Sequence, residues 1–172
     1  ARGVFLGVTL EGPSQFWGEF HASPGPPPLG SPRRTANGVD FNRLLLVTAV
    51  VTRRAGLRLG DQDVFLNVVG GLQIEEPAAD LAMGLALASS VRDIPVPADL
   101  VAIGELGLSG EVRSVGQLVA RLKEAQKLGF KRALVPRSVR HNEPYPKGIE
   151  VLPVRSLREA IVAALPAKSK SD

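Results

Sequence analysis

Residues 63–83 read DVFLNVVGGLQIEEPAADLAM, and this stretch decides the class of fold. Its first half, DVFLNVVGG, is rich in β-branched and apolar residues and closes on a glycine pair, which predicts a strand and then a turn. The second half changes character. Pro77 suits the first helical position, where no backbone N–H is needed, and Glu75 and Glu76 stand near the positive end of the helix that follows. From Ala78 to Val91 the run AADLAMGLALASSV is apolar nearly all round, so this helix is predicted to be buried, with small residues that allow close packing. A catalytic carboxylate pair made of Glu75 and Glu76 is a weak reading, because adjacent residues point in different directions.

Strands and helices alternate on both sides of this stretch. Upstream, Asp40 is a plausible N-cap for FNRLLLVTAVVTRRAG (41–56), with Arg53 and Arg54 complementing the helix dipole in the last turn and Gly56 as the stop. Further upstream, GVFLGVTL (3–10) reads as a strand and QFWGEFHAS (15–23) as its hairpin partner, while PGPPPLGSP (24–32) is too dense in Pro and Gly for regular structure. Downstream, DLVAIGELGLSGEVR (99–113) predicts two strands joined at Ser109 and Gly110. An amphipathic helix follows, GQLVARLKEAQKLG (116–129), burying Leu118, Leu122 and Ala125 and ending at Gly129. KRALVP and IEVLPV are short strands around a loop, and Ser156 with Glu159 forms a capping box for the last helix, LREAIVAAL (157–165). The pattern predicts an α/β fold. Residues 1–31 are expected to form an N-terminal strand flap with a Pro/Gly-rich loop, 32–166 the main domain, and 167–172 a polar tail. There is no P-loop and no G-x-G-x-x-G motif.

Composition narrows the chemistry. At 172 residues with 44% apolar and 22% charged residues, the chain can bury one sizeable core or two small lobes. It contains no cysteine, which excludes disulfides, thiolate metal sites and cysteine nucleophiles. His21 and His141 stand far apart in the sequence, so no metal site is expected. No apolar run is long enough to span a bilayer and no export leader is visible, so a cytoplasmic protein without membrane contact is expected. The only methionine is Met83, so the chain is expected to be a piece of a longer protein.

The net charge of +4 is unevenly spread. Six Arg face one acid between residues 21 and 60, one Arg faces seven acids between 61 and 100, and eight basic residues face four acids between 101 and 143. Such segregation suits either a polyanion or complementary neighbouring subunits.

DVFLNVVGG, GELGLSGEVR and EAQKLGFKRALVP, in this order and spacing, resemble the proteolytic domain of Lon proteases. With PRRTANGVDFNRLLL upstream, the chain resembles more closely the Lon protease-like C-terminal domain of bacterial RadA proteins, DNA-repair ATPases of the RecA superfamily. The resemblance covers about residues 32–165 and implies an α/β (α+β) fold of the Lon proteolytic type, like ribosomal protein S5 domain 2, with mixed sheets and packed helices. Lon works through a serine nucleophile and a lysine base. The resemblance places Ala78 and Val119 at these two positions, so it implies a degenerate peptidase domain that is not an enzyme. Ser89 and Ser90 lie more than ten residues beyond Ala78, roughly 15 Å along a helix, and are poor substitutes.

What the resemblance implies instead is a module that closes a ring, a hexamer, and binds double-stranded DNA without sequence preference during repair and branch migration. ATP, magnesium and zinc are expected in other domains of such a protein, and no cofactor in this one. Phosphate contacts need only cations on a face. The candidates are Arg33, Arg34, Arg53, Arg54 and Arg58 in the first basic block, and Lys123, Lys127, Lys131 and Arg132 in the second. With Trp17 and Tyr145 the only residues of their kinds, base stacking is not the expected mode. A purely structural oligomerisation module and a serine peptidase with a relocated dyad are the alternatives.

Overall fold

A computed structural model of the chain describes residues 3–11, 14–24, 34–59, 64–68, 76–137 and 144–166. Nine strands and four α-helices are present among them: β1 (Gly3–Glu11), β2 (Ser14–Pro24), β3 (Arg34–Asn37), α1 (Phe41–Arg54), β4 (Val64–Val68), α2 (Asp80–Arg92), β5 (Leu100–Ala102), β6 (Glu105–Leu106), β7 (Val112–Arg113), α3 (Leu118–Lys127), β8 (Arg132–Pro136), β9 (Glu150–Val154) and α4 (Leu157–Ala164). A 3₁₀ turn, Pro77–Ala79, leads into α2.

Seven strands form one mixed sheet in the order β3-β4-β2-β1-β5-β8-β9, and β6 with β7 makes a separate two-stranded ribbon. The hairpin expected at the N-terminus is the antiparallel β1–β2 pair, which sits in the middle of the large sheet. On one side of it β4 pairs antiparallel with β2 and parallel with β3. On the other, β1, β5, β8 and β9 run parallel. The expected α/β class is therefore observed as a mixed sheet with packed helices.

Because successive strand residues point to opposite faces, β5 and β8 report which helices cover which side. Leu100, Ala102 and Leu134 join a core with residues of α1, α2 and α4. Val101, Ile103, Ala133 and Val135 join a second core with Leu122 and Ala125 of α3. Helices α1, α2 and α4 thus cover one face of the sheet, and α3 covers the other. Helix α2 has the central place in its layer, and every residue from Asp80 to Ser90 is buried.

Local signals set the helix ends. The Asp40 carboxylate accepts hydrogen bonds from the backbone N–H groups of Asn42 (2.6 Å) and Arg43 (3.4 Å), as an N-cap should. At the other end Gly56 takes φ +69°, a left-handed conformation open to glycine at no steric cost. In the last helix, Ser156 Oγ accepts from the N–H of Glu159 (3.1 Å), while the Glu159 carboxylate accepts from the N–H of Arg155 (3.2 Å). The stretch expected to hold two strands breaks into three, β5, β6 and β7, because the chain leaves the sheet after Ala102. The physical reason lies at Gly104, whose backbone is paired to the start of the buried helix.

Candidate functional site

The helix start at Ala78 is held by backbone pairing. The Ala78 carbonyl accepts from Gly104 N–H (2.9 Å), and Leu81 N–H donates to the Gly104 carbonyl (3.0 Å). A side chain at residue 104 has no room, since a Cβ there would stand 2.7 Å from Val112 Cγ1. Ala78 is only 3% exposed, and its methyl group offers no nucleophile. Val119 lies half-buried in the first turn of α3.

Two charged residues beside Ala78 are joined to arginines on the flanking helices. Asp80 is fully buried at the start of α2. Its carboxylate accepts from Arg43 of α1, with Nε at 3.0 Å from Oδ1 and Nη2 on Oδ2, and from Leu106 N–H (3.1 Å). Burial pushes the Asp80 carboxyl above its usual range, against the opposing pull of Arg43 and the Leu106 amide, while the hydrogen bond to Asp80 raises the Arg43 guanidinium. Glu76 pairs with Arg121 of α3, whose Nε also donates to the Gly116 carbonyl (2.9 Å). The Glu76–Arg121 pair ties the segment just before Ala78 to α3, the helix that carries Val119. Ser89 and Ser90 are buried at the far end of α2, where Ser89 Oγ donates to the Ile94 carbonyl (2.6 Å).

These pairs were not singled out in the sequence. One signal was available: Asp80 is the only charge in the apolar run 77–91, and a charge in a buried helix needs a partner.

Of the basic candidates, those on α1 and those on α3 belong to helices on opposite faces of the sheet. Arg53, Arg54 and Arg58 are exposed at and beyond the end of α1. Arg54 is partly committed, since its Nε donates to the Leu108 carbonyl (3.3 Å) at the tip of the β6–β7 ribbon. Lys123 and Lys127 are exposed on α3, and Lys131 is exposed just before β8. Arg132 is engaged by Asp99 (2.9 Å); this hydrogen bond holds the Asp99 carboxyl below the usual carboxylate range. Arg34 opens β3 at the edge of the sheet. Arg33 lies outside the described residues. The α1 and α3 groups therefore do not form one patch.

Part of the acidic block is used within the chain. Of its described acids, Glu76, Asp80 and Asp99 pair with Arg121, Arg43 and Arg132, all drawn from the two basic blocks. Among the described residues no group of three or more His, Asp or Glu could hold a metal ion, and none of their helices is long and apolar enough to cross a membrane.

Residues 40–139 match the family model described as subunit ChlI of Mg-chelatase. The chain belongs to this family. It is also similar to the DNA repair protein RadA of Synechocystis sp., 46% identical over 98% of this chain and 33% of that protein. The RadA of Bacillus subtilis is 45% identical over 96% of this chain and 36% of that protein, and that of Escherichia coli 47% identical over 77% and 29%. The chain thus spans about a third of the length of these relatives.

The family corrects one expectation. A domain that is not an enzyme was expected, but the match to a subunit of Mg-chelatase and the likeness to RadA along 98% of the chain point to an ATPase-like domain. The expectation rested on Ala78 and Val119, and the loss of those two groups speaks only to attack on a peptide. The sequence carries no P-loop motif, and among the described residues no group of three or more His, Asp or Glu could hold a metal ion. Within the ChlI-subunit match fall both arginine pairs at the α2 start, Arg43–Asp80 and Glu76–Arg121.

Proposed function

We propose that this chain is the Lon protease-like domain of a RadA-type DNA repair protein, acting in the cytoplasm. It self-associates into a ring, a hexamer, and grips double-stranded DNA through its phosphates, with no sequence preference, while the assembly repairs DNA and migrates branches. The observation that carries this reading is the 46% identity to a RadA protein over nearly the whole chain. The placement of Ala78 at the opening of a buried helix supports the Lon-like comparison, since that position presents the nucleophile in the peptidases the sequence resembles. Cations supply the phosphate contacts: exposed Arg58 from the first block and exposed Lys123, Lys127 and Lys131 from the second, with Arg33 and Arg34 added from the sequence. Arg132 and Arg54 contribute less, because each already serves a partner in the chain.

Each phosphate neutralised on duplex DNA contributes a slope of about −0.9 to log affinity against log salt. A gel-shift series with duplex DNA across salt concentrations tests the reading. The expected result is a salt-sensitive shift that is the same for unrelated sequences, and weaker in Arg33→Ala/Arg34→Ala. A shift indifferent to salt, or none at all, would leave the second reading, a purely structural oligomerisation module. The apolar outward side of α1 favours that second reading, since a face built for contact needs no nucleic acid.

A further inference from the structure

Helix α1 shows apolar side chains to solvent. Phe41 is 51% exposed and Leu45, one turn later, is 42% exposed. Ala49 is exposed a further turn on, so the three make one stripe at a spacing of four. The stripe is bounded by opposite charges. Exposed Asp40 stands at its N-terminal end and exposed Arg53 at its C-terminal end. Among the described residues neither makes an ion pair, whereas Arg43 of the same helix is held by Asp80.

We propose that this stripe is a contact with a second copy of the chain, formed as an antiparallel pair of α1 helices about a two-fold axis at Leu45. Two features of the stripe make it self-complementary. In size, an antiparallel pair centred on Leu45 sets Phe41 against the small Ala49 of the other copy, twice, and Leu45 against Leu45. In charge, it brings Asp40 to within about one helical turn of the other copy's Arg53, within reach of an arginine side chain. The antiparallel arrangement also sets each positive helix end beside a negative one. A parallel pair would bring like charges together at both ends. A two-fold contact closes a pair of chains and does not propagate into a ring, so this face goes beyond the self-association proposed above and is separate from the contacts that would close the ring.

The chain has no cysteine, which permits a direct test. Helices in contact lie about 8–10 Å apart. Two facing Leu45 positions on the axis then have Cα atoms close enough for a disulfide, which needs roughly 4.4–6.8 Å. Leu45→Cys should form a covalent dimer under mild oxidation without DNA. Because a bound pair holds its partner at an effective concentration near millimolar, cross-linking at micromolar protein should run on the order of a thousandfold faster than chance collision. Leu128→Cys, 51% exposed at the end of α3, is the control for collision. Cross-linking at residue 45 no faster than at 128 overturns the proposal. Light scattering on the unmodified chain separates the two levels: larger species without the 45–45 cross-link would refute the α1 face and keep self-association, whereas a monomer at all concentrations would refute both.

Discussion

Helices α1 and α3 lie on opposite faces of one sheet and are alike on their inner sides. Each buries an apolar stripe, Leu44, Val47 and Val51 in one and Leu122 and Ala125 in the other. Each also sends one arginine to the start of α2, Arg43 to Asp80 and Arg121 to Glu76. Their outer sides differ. Helix α3 shows Lys123 and Lys127, the ordinary dress of a helix in water, while α1 shows Phe41 and Leu45. The inner face of a helix tells what the chain itself packs on it. The outer face tells what arrives later, and here the two helices expect different company.

The comparison can be broken first at the inner faces. Leu44→Ala and Leu122→Ala should each destabilise by about 2–5 kcal/mol in denaturant unfolding, since both side chains are fully buried. A loss confined to one of them would show that the two cores are not equal partners in the fold. Next come the arginine pairs. Asp80→Ala leaves Arg43 and the Leu106 amide without their acceptor and should cost about 3 kcal/mol; Glu76→Ala should cost less, because the Glu76 side chain is 18% exposed and that of Asp80 is fully buried.

The outer faces should separate cleanly. Leu45→Lys should leave stability within about 0.5 kcal/mol, as surface changes do, and shift the sedimentation of the chain toward the monomer. Lys123→Ala with Lys127→Ala should do the reverse, keeping the association state and lowering the salt slope of duplex binding by about 1.8. If either pair of variants changed both properties, the division of labour between the helices would fail. The smallest effect belongs to Asp99. Its carboxyl is held below the usual range by Arg132, so the pair's contribution is full above the unfolded carboxylate value and is lost as pH falls through the folded one. An NMR titration of the Asp99 carboxyl should move up toward the ordinary value in Arg132→Ala.

Much of the fold was legible because its signals are local. Pro77, the cap at Asp40, Gly56, Gly129 and the Ser156–Glu159 box each stand where the structure uses them. The 3₁₀ turn before α2 and the division of residues 99–113 into three strands were not legible, because both follow from the hydrogen bonds of Gly104 to residues 78 and 81, distant in sequence. The candidate site was read through its missing groups, Ala78 and Val119. What stands there instead, an ion pair between Glu76 and Arg121, depends on packing across the sheet and leaves no spacing in the sequence to find. The uneven charge was legible as a tally, and its use was not. A tally cannot tell an acidic segment that docks on a neighbour from one that is satisfied by Arg43, Arg121 and Arg132 at home.

Those three pairs have a consequence for the order in which the molecule takes shape. They join residues 37, 45 and 33 positions apart. In each pair the first member stands in the sequence well before its partner, so none of the three can close until at least 33 further residues have been added. Contacts of this reach close late and slow the search for the native state. The pairing of charge is therefore a property of the finished polypeptide: Arg43 waits for Asp80, Glu76 for Arg121 and Asp99 for Arg132.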